Sequence, residues 1–119
     1  MRSVGEAKPI NIDFDLYTDN DSDFKHKLVV LMISNLNELQ QALFHSLQNQ
    51  DVQSFSKASH KVHATLVILD DADLDQVIAE LKELLINKNN RDRLLQLANT
   101  LEEFCNGIII SLEKEITTI

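Results

Sequence analysis

The sequence predicts an all-α protein, an antiparallel up-and-down four-helix bundle preceded by a short N-terminal docking segment. Three observations carry that expectation. The 119 residues include only two glycines and one proline, so few positions favour tight turns or hairpins. Apolar residues recur at intervals of three and four over long stretches, the pattern of helices with one buried face. Connections of a few residues join these stretches and make successive helices antiparallel neighbours. A hydrophobic content of 44% at this length is enough for one modest core, with no room for a second domain.

The elements follow in order. Met1 to Lys8 lack periodicity and are expected to be loosely held, so that residues 1–9 form a flexible terminus and residues 10–119 the bundle. Ile10, Ile12, Phe14, Leu16 and Tyr17 then bring apolar groups ahead of Asp19-Asn20-Asp21-Ser22, whose side chains suit a helix N-terminus. From Phe24 to about Gln48, the stripe Phe24, Leu28, Leu31, Met32, Leu36, Leu39, Leu43 and Leu47 marks an amphipathic helix. Val30, Ile33 and Phe44 fall outside it; either they offer a second patch to a partner or this helix is buried on two sides. Asn49-Gln50-Asp51 breaks the pattern, and Asp51 is suited to cap a helix reaching Leu69, with Val52, Phe55, Ser59, Val62, Leu66 and Leu69 on its buried side. Asp70 and Asp71 end that helix and cap the next, Ala72 to Ile86, whose apolar face is Leu74, Val77, Ile78, Leu81, Leu84 and Leu85. After the turn Asn87-Lys88-Asn89-Asn90, a last helix from Arg91 to Ile116 turns Leu94, Leu97, Ala98, Leu101, Phe104, Cys105, Ile108 and Leu112 inward. Gly107 inside it costs about 1 kcal/mol relative to alanine and gives the helix a place to bend.

Charge narrows the function classes. A formal charge of −8 and a pI near 4.8 repel nucleic acid and anionic lipid, which leaves a protein partner or a small ligand. The single cysteine, Cys105, has no internal disulfide partner and lies among core positions. The longest apolar runs, such as Leu28 to Ile33, are too short to span a bilayer, and no basic segment followed by an apolar stretch opens the chain. A cytoplasmic protein is expected, and nothing in the sequence asks for a dimer, so a monomer is expected too.

The helix from Asp51 to Leu69 carries the candidate chemistry. At about 100° per residue, Gln53, Lys57, His60, Ala64 and Val67 lie on a flank away from Phe55, so His60 faces solvent. Ala64, one turn on, leaves the ring uncovered, while Lys57 and Lys61 place cations beside any anion held there. His63 sits at the border of the core face, either as a half-buried packing residue or as a contact to such an anion.

The run Lys57-Ala58-Ser59-His60-Lys61-Val62-His63-Ala64-Thr65 resembles the signature of histidine-containing phosphotransfer (HPt) domains. There a phospho-accepting histidine is followed by any residue, an aliphatic, a lysine, a glycine and a small residue. His60, Val62 and Thr65 fit; the family's lysine falls on His63 and its glycine on Ala64. The order and relative lengths of the helices are similar to the family from about Ile10 to Ile116. The resemblance implies that His60 accepts a phosphoryl group from a receiver-domain aspartate and passes it to another, in a two-component phosphorelay. It also implies that Lys57, Lys61 and His63 surround the phosphoryl group and that Ala64 is the point of close approach. Partners are then receiver domains of response regulators or hybrid histidine kinases; no cofactor is implied here, because the receiver brings the Mg²⁺. Val30, Ile33 and Phe44, with Gln53 and Val67, form a candidate partner-binding patch. A second reading keeps the scaffold without the chemistry: an inactive helical module that binds a receiver or kinase and accepts no phosphate.

Other chemistries find less in the sequence. His60-x-x-His63 pairs two imidazoles, but no glutamate stands three residues before a histidine, as a carboxylate di-metal bundle needs, and ligands for structural zinc are too few. No glycine-rich phosphate loop is present. His26 and His45 point away from the core of the first long helix.

Overall fold

The computed structural model describes residues 7–88 and 90–117. Among them the chain is all-α, with six helices and no strand: α1 (Phe14–Thr18), α2 (Ser22–Asn49), α3 (Val52–Lys61), α4 (His63–Leu69), α5 (Ala72–Asn87) and α6 (Arg91–Thr117). α2 packs against α3 and α6, α5 packs against the same two helices, and α1 lies on α2. Phe55, Met32, Leu36, Leu39, Leu74, Leu81, Leu101, Ile108 and Leu112 are fully buried between them. No helix among the described residues is long and apolar enough to cross a membrane.

Aspartates set the helix starts. Asp13, Asp21, Asp51 and Asp71 accept backbone N–H groups of Leu16, Phe24, Gln53 and Leu74 at 3.0–3.1 Å, and the Asn90 side chain does the same for Arg93 in α6. Each such bond satisfies a donor that the helix geometry leaves without an internal partner. With so few glycines, the helix ends adopt the left-handed conformation on other residues: Asp19, Gln50, Asp70 and Lys88 close α1, α2, α4 and α5 at φ between 47° and 56°.

Several expectations are corrected by the packing. In α2 the buried row is Val29, Met32, Leu36, Leu39, Leu43 and Ser46, while Phe24 and Leu31 are about half exposed. Apolar neighbours stand at 28/29 and 31/32, so the three-four spacing admits more than one row, and packing selects the one through Val29 and Met32. In the N-terminal segment Phe14 is buried and Ile10 and Ile12 pack on the core, but Leu16 is 77% exposed and Tyr17 also faces out. α1 has only five residues, too few turns to bury more than Phe14 and Thr18.

The helix expected from Asp51 to Leu69 is interrupted at Val62, whose φ of −95° and ψ of 15° leave the helical region. Its N–H still reaches the Ala58 carbonyl at 3.0 Å, and its own carbonyl accepts from Leu66 at 3.2 Å, so the hydrogen-bond ladder crosses the bend. Gly107 behaves in the opposite way. α6 runs unbroken through it, and the buried glycine leaves room for another stretch of chain: the Lys8 N–H donates to the Gly107 carbonyl at 2.9 Å. Lys8, expected to be loosely held, is anchored further by an ion pair with Asp71 at 2.7 Å, by the Ser111 hydroxyl donating to its carbonyl, and by its ammonium over the Phe104 ring. The remainder of the terminal stretch, residues 1–6, lies outside the described residues.

Candidate functional site

The hydrogen bonds that position the α3–α4 stretch come from α2. Phe55 at its centre is fully buried, and the Phe55 N–H donates to the buried Ser46 hydroxyl of α2 at 3.0 Å. Asn35 of α2 donates to Thr65 of α4 at 2.7 Å, beyond the bend. With these residues turned inward, the helical period turns His60 outward, and its ring is exposed with no hydrogen bond from any described residue. Ala64 is exposed beside it and leaves the approach open.

His60 borders an open cleft between the α3–α4 stretch and α5. Lys57, Lys61 and His63 line it from the first wall, Asp75, Ala79 and Lys82 from the second, over a floor that includes Leu66 and Ile78. The expected site residues are therefore brought together, with differences in role. Lys57 is exposed and carries no ion pair among the described residues. Lys61 reaches back to Glu38 of α2 at 3.0 Å, so in this state its charge is already matched. His63, directly after the bend at Val62, is exposed rather than half-buried against the core.

Sequence reasoning missed the second wall. Lys82, half-buried and without an ion pair among the described residues, adds a cation from α5, and Asp75 adds the one carboxylate of the lining. Burial first, and then the charges of Asp71 and Asp70, raise the Asp75 carboxyl above its ordinary value, with His63 acting in the other direction. The signal is present in the spacing: residues 75, 79 and 82 share one face of α5 at i, i+4 and i+7, beside the apolar face of Leu74, Val77, Ile78 and Leu81.

The candidate partner patch is divided. Gln53 and Val67, the latter 59% exposed, lie on the His60 flank. Val30 is exposed on α2, and Ile33 packs partly on the core. Phe44, 61% exposed, lines a separate groove with Leu95 and Ala98 between α2 and α6. Cys105 is buried, and burial pushes its thiol up to about 12, which leaves it protonated and unreactive at neutral pH. Among the described residues no group of three or more His, Cys, Asp or Glu side chains is placed to hold a metal ion.

Comparison with protein-family models, with curated proteins and with solved structures finds no match to this chain.

Proposed function

We propose that this protein is a histidine phosphotransfer protein, a cytoplasmic intermediate carrier that accepts a phosphoryl group from one receiver-domain aspartate and donates it to another. The observation that carries the reading is the setting of His60: an exposed imidazole on a helix bonded from its opposite side, in a cleft with two lysines, neither ring nor lysines having a hydrogen-bond or carboxylate partner among the described residues. The contacts of α2, α3, α5 and α6 are read as an up-and-down four-helix bundle, with α4 continuing α3 past the bend and α1 as the docking segment.

The chemistry asks little of the protein beyond placement and charge. The unprotonated ring nitrogen of His60 attacks the phosphorus of an aspartyl phosphate. The new P–N bond forms as the acyl O–P bond breaks, the aspartate leaves as a carboxylate, and the other ring nitrogen releases its proton to solvent. Lys57 and Lys82 stabilise the anionic group on His60, while Lys61 joins them by leaving Glu38, an exposed pair worth no more than about 1 kcal/mol. Transfer onward is the reverse step with a second receiver, which supplies its own Mg²⁺. A ring packed under neighbouring side chains would favour the inactive module; the open ring favours the carrier.

The test is to incubate the protein with a panel of phosphorylated receiver domains and to follow acid-labile, alkali-stable label on the chain. Label is expected on the wild type and absent from His60→Gln, with the helical circular dichroism unchanged. If the folded protein binds a receiver yet no receiver transfers label, the carrier reading fails and the module reading replaces it.

A further inference from the structure

The charged groups that line the His60 cleft differ in whether their charge can change. A lysine keeps its charge across the physiological range, whereas a histidine gains or loses one between about pH 5 and 8. Lys57, Lys61 and Lys82 are of the first kind. His63 is of the second, and apart from the reacting ring it is the only histidine on the lining.

Its position ties it to His60. The two rings stand three residues apart across the bend at Val62, where the backbone ladder is kept, so they face the same side. Both are exposed at the same cleft, and the His63 ring has no hydrogen bond or ion pair from any described residue to fix its charge. The groups that face it are Lys57, His60 and Lys61 of α3, the last matched by Glu38 of α2 at 3.0 Å, and Asp75 and Lys82 of α5. Burial, then Asp71 and Asp70, lift the Asp75 carboxyl, and His63 draws it down, so these two feel one another across the cleft. The lysines disfavour a proton on the His63 ring and Asp75 favours one. A phosphoryl dianion on His60 adds a much larger negative charge one turn away, and so favours that proton further.

We propose that His63 makes phosphoryl retention on His60 depend on pH: its protonated ring holds the phosphoryl group on this chain, and loss of that proton releases the group toward a receiver. The inference rests on the phosphotransfer reading and adds a regulation to the same site. The transfer step keeps its balance, with the P–N bond at His60 breaking as the acyl O–P bond on the receiver forms; His63 changes only the relative stability of the two ends. Linkage makes the effect reciprocal. If a proton on His63 favours the phosphoryl group, the phosphoryl group must favour the proton on His63 by the same factor.

The experiment loads the chain with phosphoramidate, whose own P–N bond breaks as the bond to His60 forms and ammonia leaves, so that no receiver is needed. The His63 ring is then titrated by NMR in the loaded and the unloaded protein. Its midpoint is expected to rise by about 0.7 pH unit on loading, the equivalent of a fivefold coupling. In equilibrium with a phosphorylated receiver, the label held by wild type relative to His63→Lys is expected to fall about fivefold between pH 6 and pH 8.5, while His63→Gln stays low relative to His63→Lys throughout. Asp75→Asn is expected to move that fall to lower pH. A midpoint that does not move on loading, or wild-type and His63→Lys profiles that run parallel, would overturn the inference while label on His60 leaves the carrier reading standing. Label that is absent, or that persists in His60→Gln, would sink both.

Discussion

The two flanks of α3 are built on different terms. Toward α2 the helix and its continuation are stitched by directional bonds: Phe55 N–H to Ser46, Thr65 to Asn35, and Lys61 to Glu38. Toward α5 no hydrogen bond or ion pair joins side chains of the two elements among the described residues; apolar packing around Leu66 and Ile78 floors an open cleft. A group that must meet a partner protein needs both conditions. The bonded flank fixes the rotation of the helix, and only with that rotation fixed does His60 have a defined outward direction without any bond to its own ring.

The largest effect expected is the loss of both flanks together. Phe55→Ala removes a fully buried ring from the centre of α3 and leaves a cavity, at a cost of about 3–5 kcal/mol in denaturant unfolding. A loss under about 1 kcal/mol would mean that α3 is not tied to the core through this residue. Next in size is a pair of serine substitutions that separates the flanks. Ser46→Ala strips the Phe55 N–H of its partner in a buried setting and is expected to cost about 1–3 kcal/mol. Ser59, equally buried but on the cleft side, bonds only to the Ser56 carbonyl within its own helix, and Ser59→Ala is expected to stay within about 0.5 kcal/mol of wild type. Equal costs for the two would mean that α3 is held alike on its two flanks.

The flank that was legible in the sequence was the outer one. His60, Lys57 and Ala64 follow from periodicity alone, because Phe55 is large enough to fix which side is inside and the period then dictates the rest. Helix positions from Asp51 onward were legible for the same reason, together with the aspartate caps. What stayed hidden depends on contacts between elements. The bend at Val62 has no glycine or proline to announce it, and the local sequence is compatible with a straight helix. The Lys61–Glu38 pair needs the rotation of α2, which the two possible apolar rows through Leu28/Val29 and Leu31/Met32 left open. Lys82 and Asp75 enter the cleft only once α5 is packed beside α3, and Lys8 is fixed by a buried glycine a hundred residues away in sequence.

The first turn of α5 repeats the contrast at smaller scale. Asp71 is tied: it caps Leu74 at 3.0 Å and pairs with Lys8 at 2.7 Å. Burial opposes its charge, but those bonds prevail and hold its carboxyl below the ordinary 3.8. A carboxyl lowered on folding contributes stability above its unfolded value and loses that contribution as pH falls through its folded one. Asp71→Ala is therefore expected to cost about 0.5–2 kcal/mol at neutral pH, by analogy with other lost caps, and the difference from wild type should shrink as the pH drops below about 3.8.

Asp75, one turn on and facing the open cleft, has the reverse sign. Burial and the charges of Asp71 and Asp70 raise its carboxyl, so the folded state resists its ionisation. That resistance costs nothing below the unfolded value and is felt in full once the pH has risen past the folded one. Asp75→Asn is therefore expected to stabilise the protein at neutral pH, by less than about 0.5 kcal/mol, and to make no difference in acid below about pH 3.8. Thermal unfolding of the two variants across pH 3 to 8 checks both signs in one series. If Asp75→Asn destabilises at neutral pH, the carboxylate is bonded to the cleft wall after all, and the α5 flank of α3 is not the open one.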